Sequence, residues 1–172
     1  MGSEVATREA PVFRVRAVGS FEQAPGCPKS TLAALGADRT ADLCAGECYR
    51  PSDERRVITR IEVVRIRPQT RPDEDIGGLV DDPWQTFACP GDPSGCVATF
   101  VDPEFASGGR DAVYYARAFE ATTPTVNGDP ARCTWDADGS CIETQLCAEG
   151  SDCLDPYAPR AWSSPIYVDY AH

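Results

Sequence analysis

Apolar and charged residues alternate in Phe13-Arg14-Val15-Arg16-Ala17, the period-two pattern of a strand with one buried face. The longest such run is Arg56 to Arg67. Val57, Thr59, Ile61 and Val63 share one face, after which the phase flips and Val64 and Ile66 become the apolar pair. Adjacent strand residues point to opposite faces, so the change of phase predicts a β-bulge or twist near Val63–Val64. Val97 to Val101 predicts a third strand. Ala112 to Glu120 predicts a fourth, with Tyr114, Ala116 and Ala118 on one face and Tyr115, Arg117 and Phe119 on the other. Pro165 to Tyr170 predicts the last, with Ile166, Val168 and Tyr170 inward.

Helical periodicity is scarce, and one short helix is expected around Ala37–Leu43. Residues 19–55, 68–95 and 121–163 read as irregular, and the last of these as one long cysteine-rich loop. Alternating strands separated by turn-rich spacers predict an all-β fold, an antiparallel β-sandwich of immunoglobulin or fibronectin type with long disulfide-tied loops. In such a fold Val113–Ala118 and Ser163–Val168 are neighbours in one sheet. The chain is expected to be a single domain over 1–172, with residues 1–10 flexible or vector-derived.

Cysteine content changes the picture. The 172 residues hold nine cysteines and one histidine, His172. With almost no imidazole available, the natural partners of the thiols are one another, which points to an exported protein: secreted, periplasmic or in the cell envelope. Cys89 and Cys96, Cys133 and Cys141, and Cys147 and Cys153 each flank turn-forming residues and read as local loops closed by a bridge. Closing an eight-residue loop stabilises by about 2.5 kcal/mol in the entropy model. Cys27, Cys44 and Cys48 remain. Cys27–Cys44 or Cys27–Cys48 is favoured over the close pair Cys44–Cys48, and one of the three is left over. Zinc is the weaker reading, because no Cys-x-x-Cys pair occurs.

The formal net charge is −11, which excludes a nucleic-acid partner. No apolar run approaches the ~20 residues of a membrane span. No secretory signal opens the chain, so it reads as part of a longer protein. Asp136-Ala137-Asp138-Gly139 resembles the centre of a calcium loop, making Asp136 and Asp138 the candidate metal ligands. The ligand positions around them are Thr134 and Gln145, and a plain Asp-Gly turn explains the segment better. No catalytic residue is assigned, since serine and cysteine nucleophiles of the triad type need a histidine. Trp84, Trp135 and Trp162 read as loop anchors before they read as a sugar platform. Arg55, Arg56, Arg60, Arg65 and Arg67 read as a solvated face paired with local carboxylates.

Several blocks carry a resemblance. They are Gly46 to Arg55, Ile61 to Gln69, Asp82-Pro83-Trp84, Gly109 to Ala118, Val126-Asn127-Gly128 and Arg160 to Tyr170. Together, over most of 39–170, they resemble the C-terminal region of a bacterial family, domain of unknown function 3604. The N-terminal part of that family is similar to the PHP (polymerase and histidinol phosphatase) superfamily of metal-dependent phosphoesterases. The resemblance implies an exported protein whose metal-binding residues lie upstream. This chain would then be a non-catalytic accessory or interaction domain, with an upstream metallohydrolase domain or another protein chain as partner. The alternatives are an independent calcium- or carbohydrate-binding module, or a fragment that contributes to a phosphoesterase active site. The chain itself is expected to carry no cofactor, calcium being the one candidate ion.

Overall fold

The computed structural model describes residues 2–126, 133–144 and 153–171. The chain is mostly β. In order, the strands are β1 (Ser3–Thr7), β2 (Val12–Ala17), β3 (Phe21–Pro25), β4 (Tyr49–Arg55), β5 (Ile58–Ile66), β6 (Val80–Ala88) and β7 (Cys96–Val101). They continue as β8 (Ala112–Glu120), β9 (Thr123–Val126), β10 (Cys133–Trp135), β11 (Cys141–Thr144), β12 (Leu154–Tyr157), β13 (Arg160–Trp162) and β14 (Ile166–Tyr170). Three helices, α1 (Lys29–Leu35), α2 (Ala37–Cys44) and α3 (Pro103–Gly108), are short.

The main sheet runs β1–β14–β8–β5–β6, antiparallel except for the parallel pair β1–β14. β14 pairs with Ala112–Tyr114 of β8, and β13 pairs with Arg117–Phe119 of the same strand. The two therefore lie end to end along one edge of β8. Ser163 bridges the break, donating its N–H to the Ala116 carbonyl (2.9 Å) while its Oγ accepts from the Ala116 N–H (3.0 Å).

A second sheet of two antiparallel strands, β2–β7, packs on the main one. Its inward residues are Phe13, Val15 and Ala17 of β2 and Cys96, Ala98 and Phe100 of β7. Cys96, Ala98, Val15 and Ala17 share one apolar cluster with Ile58, Ile61, Phe87 and Ala116 of the main sheet. Phe13 stacks on Phe100 (5.1 Å between centroids) and leans on Tyr114 (4.6 Å), and Trp84 lies 5.9 Å from Phe100 and from Tyr114. Each fully buried aliphatic side chain in this core contributes roughly 1.5–3 kcal/mol. The crossing from β2 to β3 needs Gly19: a Cβ there would sit 1.8 Å from the Arg56 carbonyl oxygen.

The register of β5 shifts against β6 between Val63 and Arg65. Val63 faces Gln85 and Arg65 faces Asp81, so one intervening residue on β5 opposes three on β6. The extra residues belong to β6, around Asp82-Pro83, and β5 itself stays in step with β8 through Val63, Val64 and Arg65. A proline without an N–H is tolerated there because β6 is an edge strand. The phase of β5 thus does not flip. Ile61, Val63 and Arg65 share the inner face, and Val64, also buried, takes the outer one. A further shift between Ile58 and Arg60 brings Ile58 into the core.

Several expectations are corrected. Residues 1–10 are not a loose leader throughout, because Ser3–Thr7 is tied to β14 through main-chain pairing that no side-chain pattern announces. Residues 121–163 are not a single loop: β9 pairs with β12, β10 pairs with β11, and β13 joins the main sheet. These strands are three or four residues long and mostly exposed, too short for period-two patterning. Residues 19–55 hold β3 and β4, paired with each other, and residues 68–95 hold β6. α-Helices number three rather than one among the described residues, and Gly77–Leu79 adds a single 3-10 turn. α3 is started by Asp102, whose side chain accepts from the Glu104 N–H, with Pro103 in the first turn.

Candidate functional site

Arg65 is the residue whose surroundings depart most from the sequence reading. It is 5% exposed, not part of a solvated face. Its Nη1 donates to both oxygens of Asp102 (3.2 and 3.0 Å) and to Glu104 Oε2 (2.9 Å), and its Nε donates to Asp81 Oδ2 (2.9 Å). Its guanidinium also lies 4.7 Å from the Trp84 ring centroid. Asp102, 1% exposed, further accepts from the Tyr114 hydroxyl (2.6 Å) and the Glu104 N–H (3.0 Å). Burial alone would lower the Arg65 pKa, but the hydrogen bonds to Asp102, Glu104 and Asp81 outweigh it and hold it above its ordinary value. Burial likewise works to raise Asp102. The bonds from Tyr114 and Arg65 win, and its pKa falls. Tyr114 is pushed up by burial and by its bond to Asp102.

A cleft of about 300 Å³ opens beside this centre, lined by Arg65, Arg67, Asp102, Glu104, Phe105 and Arg110 among others. Arg110 is held by Glu74 (2.6 Å) and Arg67 by Asp81 (3.2 Å). Its guanidiniums are therefore matched by carboxylates, and Asp102 has both oxygens engaged. The arrangement ties β5, β6, β8 and α3 together.

The larger cleft, about 510 Å³, lies where the two sheets fail to match. Among the described residues the second sheet is two strands wide, and the cleft lies between its β2 strand and the β8–β13 side of the main sheet. The floor of the cleft is the outer margin of the apolar cluster: Val15, Ala17 and Ala118 line it, and Ile58 and Ala116, both buried, lie beneath. Pro159, Arg160, Ala161 and Trp162 form one wall, and Arg16, Val18, Ser20 and Glu120 the other rim. Trp162 is 59% exposed. Glu120 is occupied, accepting from the Ser20 N–H (2.6 Å) and lying 3.9 Å from Arg56. Arg16 and Arg160 are exposed and, among the described residues, neither is in an ion pair. Arg160 spreads over aromatic rings instead, 5.6 Å from Phe119, 5.7 Å from Tyr157 and 5.8 Å from Trp162. Among the described residues β2 pairs only with β7, so its other edge borders this cleft with unpaired main-chain groups.

The residues singled out from sequence fall in separate places. Asp136 and Asp138 meet in the β10–β11 turn, where Asp136 Oδ1 accepts from the N–H groups of Asp138 (3.0 Å) and Ser140 (2.7 Å). That carboxylate is capping its own turn. Cys89 is bonded to Cys96 and Cys133 to Cys141. Cys153 is also in a disulfide, and Cys147 lies outside the described residues. Cys27, Cys44 and Cys48 converge at the base of α1 and α2, and among the described residues they are the group of three donors near enough to share one ion. Trp84 is built into the core, whereas Trp135 and Trp162 are exposed on different strands. Arg16 and Arg160 drew no notice in the sequence as a pair, since only the fold brings β2 alongside β13. Among the described residues no helix is long and apolar enough to cross a membrane. Comparison with protein-family models, curated proteins and solved structures finds no match.

Proposed function

We propose that this chain is a non-catalytic interaction module of an exported protein, an open β-sandwich that receives an extended acidic segment of a partner protein in the cleft beside β2. The observation that carries the reading is the pairing of an apolar-floored cleft with the edge of β2 that, among the described residues, has no partner strand. A partner strand laid there gains main-chain hydrogen bonds from β2 and buries its apolar side chains on Val15, Ala17 and Ala118, which are only partly buried. Arg16 and Arg160, unpaired cations on a chain of formal charge −11, select acidic residues in that strand. The family resemblance supplies the partner class: a metal-dependent phosphoesterase region, which would hold the catalytic metals itself. The disulfides support export, since such bonds persist in oxidising compartments.

The test is a titration of the chain with the phosphoesterase region of a member of the family it resembles, followed by sedimentation. Association that falls at least tenfold in an Arg16→Glu, Arg160→Glu double variant is expected. Both side chains are exposed, so the variant should fold normally by circular dichroism. Absence of association, or association indifferent to the double substitution, refutes the reading. Quenching of Trp162 fluorescence by oligosaccharides without any protein binding would transfer the cleft to carbohydrate recognition.

A further inference from the structure

The three cysteines at 27, 44 and 48 are placed unlike the other described cysteines, in that three rather than two sulfurs meet. Cys27 follows the end of β3, and Cys48 precedes β4, with Pro25 and Tyr49 paired between the two strands. The Gly26 N–H donates to the Cys48 carbonyl (2.8 Å), so the ribbon end holds these two side by side. Cys44 is the last residue of α2. The chain then turns back at once through Ala45 (φ 47°) and Gly46 (φ 82°), both left-handed, and the Glu47 N–H closes the turn on the Cys44 carbonyl (2.8 Å). This return makes a close sequence pair geometrically feasible, against the expectation from spacing. The Cα separations are 5.0 Å for Cys27–Cys48 and 5.4 Å for Cys44–Cys48, both inside the range of disulfides. Cys27 Sγ and Cys44 Sγ are 3.5 Å apart.

A sulfur joins one disulfide at a time, so Cys48 is within reach of either Cys27 or Cys44 but bonds only one of them, and the third sulfur stands outside that bond. We propose that the trio is a thiol–disulfide exchange site, with the thiol alternating between Cys27 and Cys44 and open to capture by a low-molecular-weight disulfide. In the internal step the Cys44 thiol gives its proton to water and the thiolate attacks Cys48 Sγ. The Cys44–Cys48 bond forms, the Cys27–Cys48 bond breaks, and Cys27 leaves with the electron pair and takes a proton from water. In the external step whichever thiolate is present attacks a disulfide RSSR. A mixed protein–SR disulfide forms and RS⁻ leaves. Neither step changes the total oxidation state, so no oxidant is required. All three side chains are half-buried, which leaves the exchanging sulfur within reach of solvent.

Moving the bond has a structural consequence. With Cys27–Cys48 the covalent loop encloses α1 and α2 together. With Cys44–Cys48 it encloses only the turn after α2, and the Cys27 end is held by hydrogen bonds alone.

The test uses the intact chain, labelled with N-ethylmaleimide, quenched in acid and mapped without reduction. One label per trio, divided between Cys27 and Cys44, together with both Cys27–Cys48 and Cys44–Cys48 linked peptides, is expected. Glutathione disulfide added first should replace that label with one glutathione adduct. Cys27→Ser and Cys44→Ser should each lose label and adduct completely, because the two remaining sulfurs then bond permanently, and each keeps one disulfide to maintain the fold. A single fixed pairing with all label on one cysteine overturns the proposal, as does labelling of all three. A native mass that contains a metal ion lost on thiol blocking also overturns it, in favour of a metal site.

Discussion

Replacing Asp102 by alanine tests whether the buried charge at Arg65 organises this fold. Three interactions are lost together: a charge-assisted pair with Arg65, the acceptor of the Tyr114 hydroxyl, and the cap of α3 at the Glu104 N–H. A hydrogen bond to a charged group contributes about 1.5–3 kcal/mol, and a stranded buried hydroxyl costs about 1–3 kcal/mol. Loss of an N-cap costs about 1 kcal/mol. Part of this is recovered, because Arg65 keeps Asp81 and Glu104. A net cost of about 4 kcal/mol follows, within the roughly 3–5 kcal/mol seen when one partner of a buried pair is removed. Against a total stability of about 5–15 kcal/mol this is a large fraction. At about 2–4 °C per kcal/mol it corresponds to a fall of roughly 8–16 °C in Tm. Urea unfolding under non-reducing conditions, followed by tryptophan fluorescence, reads it directly, since Trp84 packs on Tyr114 and lies over Arg65. Glu104→Gln is the control. Glu104 contacts the same guanidinium but its side chain is 69% exposed, so its loss should cost no more than about 1 kcal/mol. A cost below about 1 kcal/mol for Asp102→Ala would show that the centre is ornamental to stability, and an equal cost for Glu104→Gln would show that burial of Asp102 is not what sets it.

The same carboxylate sets a pH dependence. Because the folded pKa of Asp102 is lowered, its contribution is present above the ordinary aspartate range and fades as pH falls through the folded value. Acid unfolding should therefore begin below about pH 4 in the wild type, and Asp102→Asn should flatten that limb in urea midpoints taken from pH 6 down to pH 2. Gly19→Ala should prove costly for a different reason. Its methyl group would meet the Arg56 carbonyl at 1.8 Å, a backbone atom that cannot rotate away. An overpacking cost of about 2–3 kcal/mol is expected, and a wild-type thermal midpoint for that variant would mean the crossing is looser than described.

Much of the β architecture was legible in the residues. Phe13–Ala17, Arg56–Arg67, Val97–Val101, Ala112–Glu120 and Pro165–Tyr170 alternate clearly enough to mark β2, β5, β7, β8 and β14. What they share is burial on one face over five or more residues, and period-two patterning reports that. β6 escaped because Pro83 and two aspartates interrupt its pattern at the point where it bulges. β1 escaped because one parallel neighbour and four exposed residues leave no apolar face to read. The cleft was invisible for a related reason: it is a property of how many strands each sheet has.

By itself the sequence determined that this is a β-rich, acidic, cysteine-bonded chain and where its strongest strands lie, because alternation and turn residues act locally. The tertiary structure alone decided the rest. An arginine between Val64 and Ile66 is polar on paper, and only the arrival of Asp81, Asp102 and Glu104 around it makes burial affordable. Three cysteines spread over residues 27–48 become one cluster only when β3, α2 and β4 converge. Arg16 and Arg160, distant along the chain, line the same cleft only because β2 and β13 border it. Each of these depends on contacts between residues far apart in sequence, and local pattern carries no information about them.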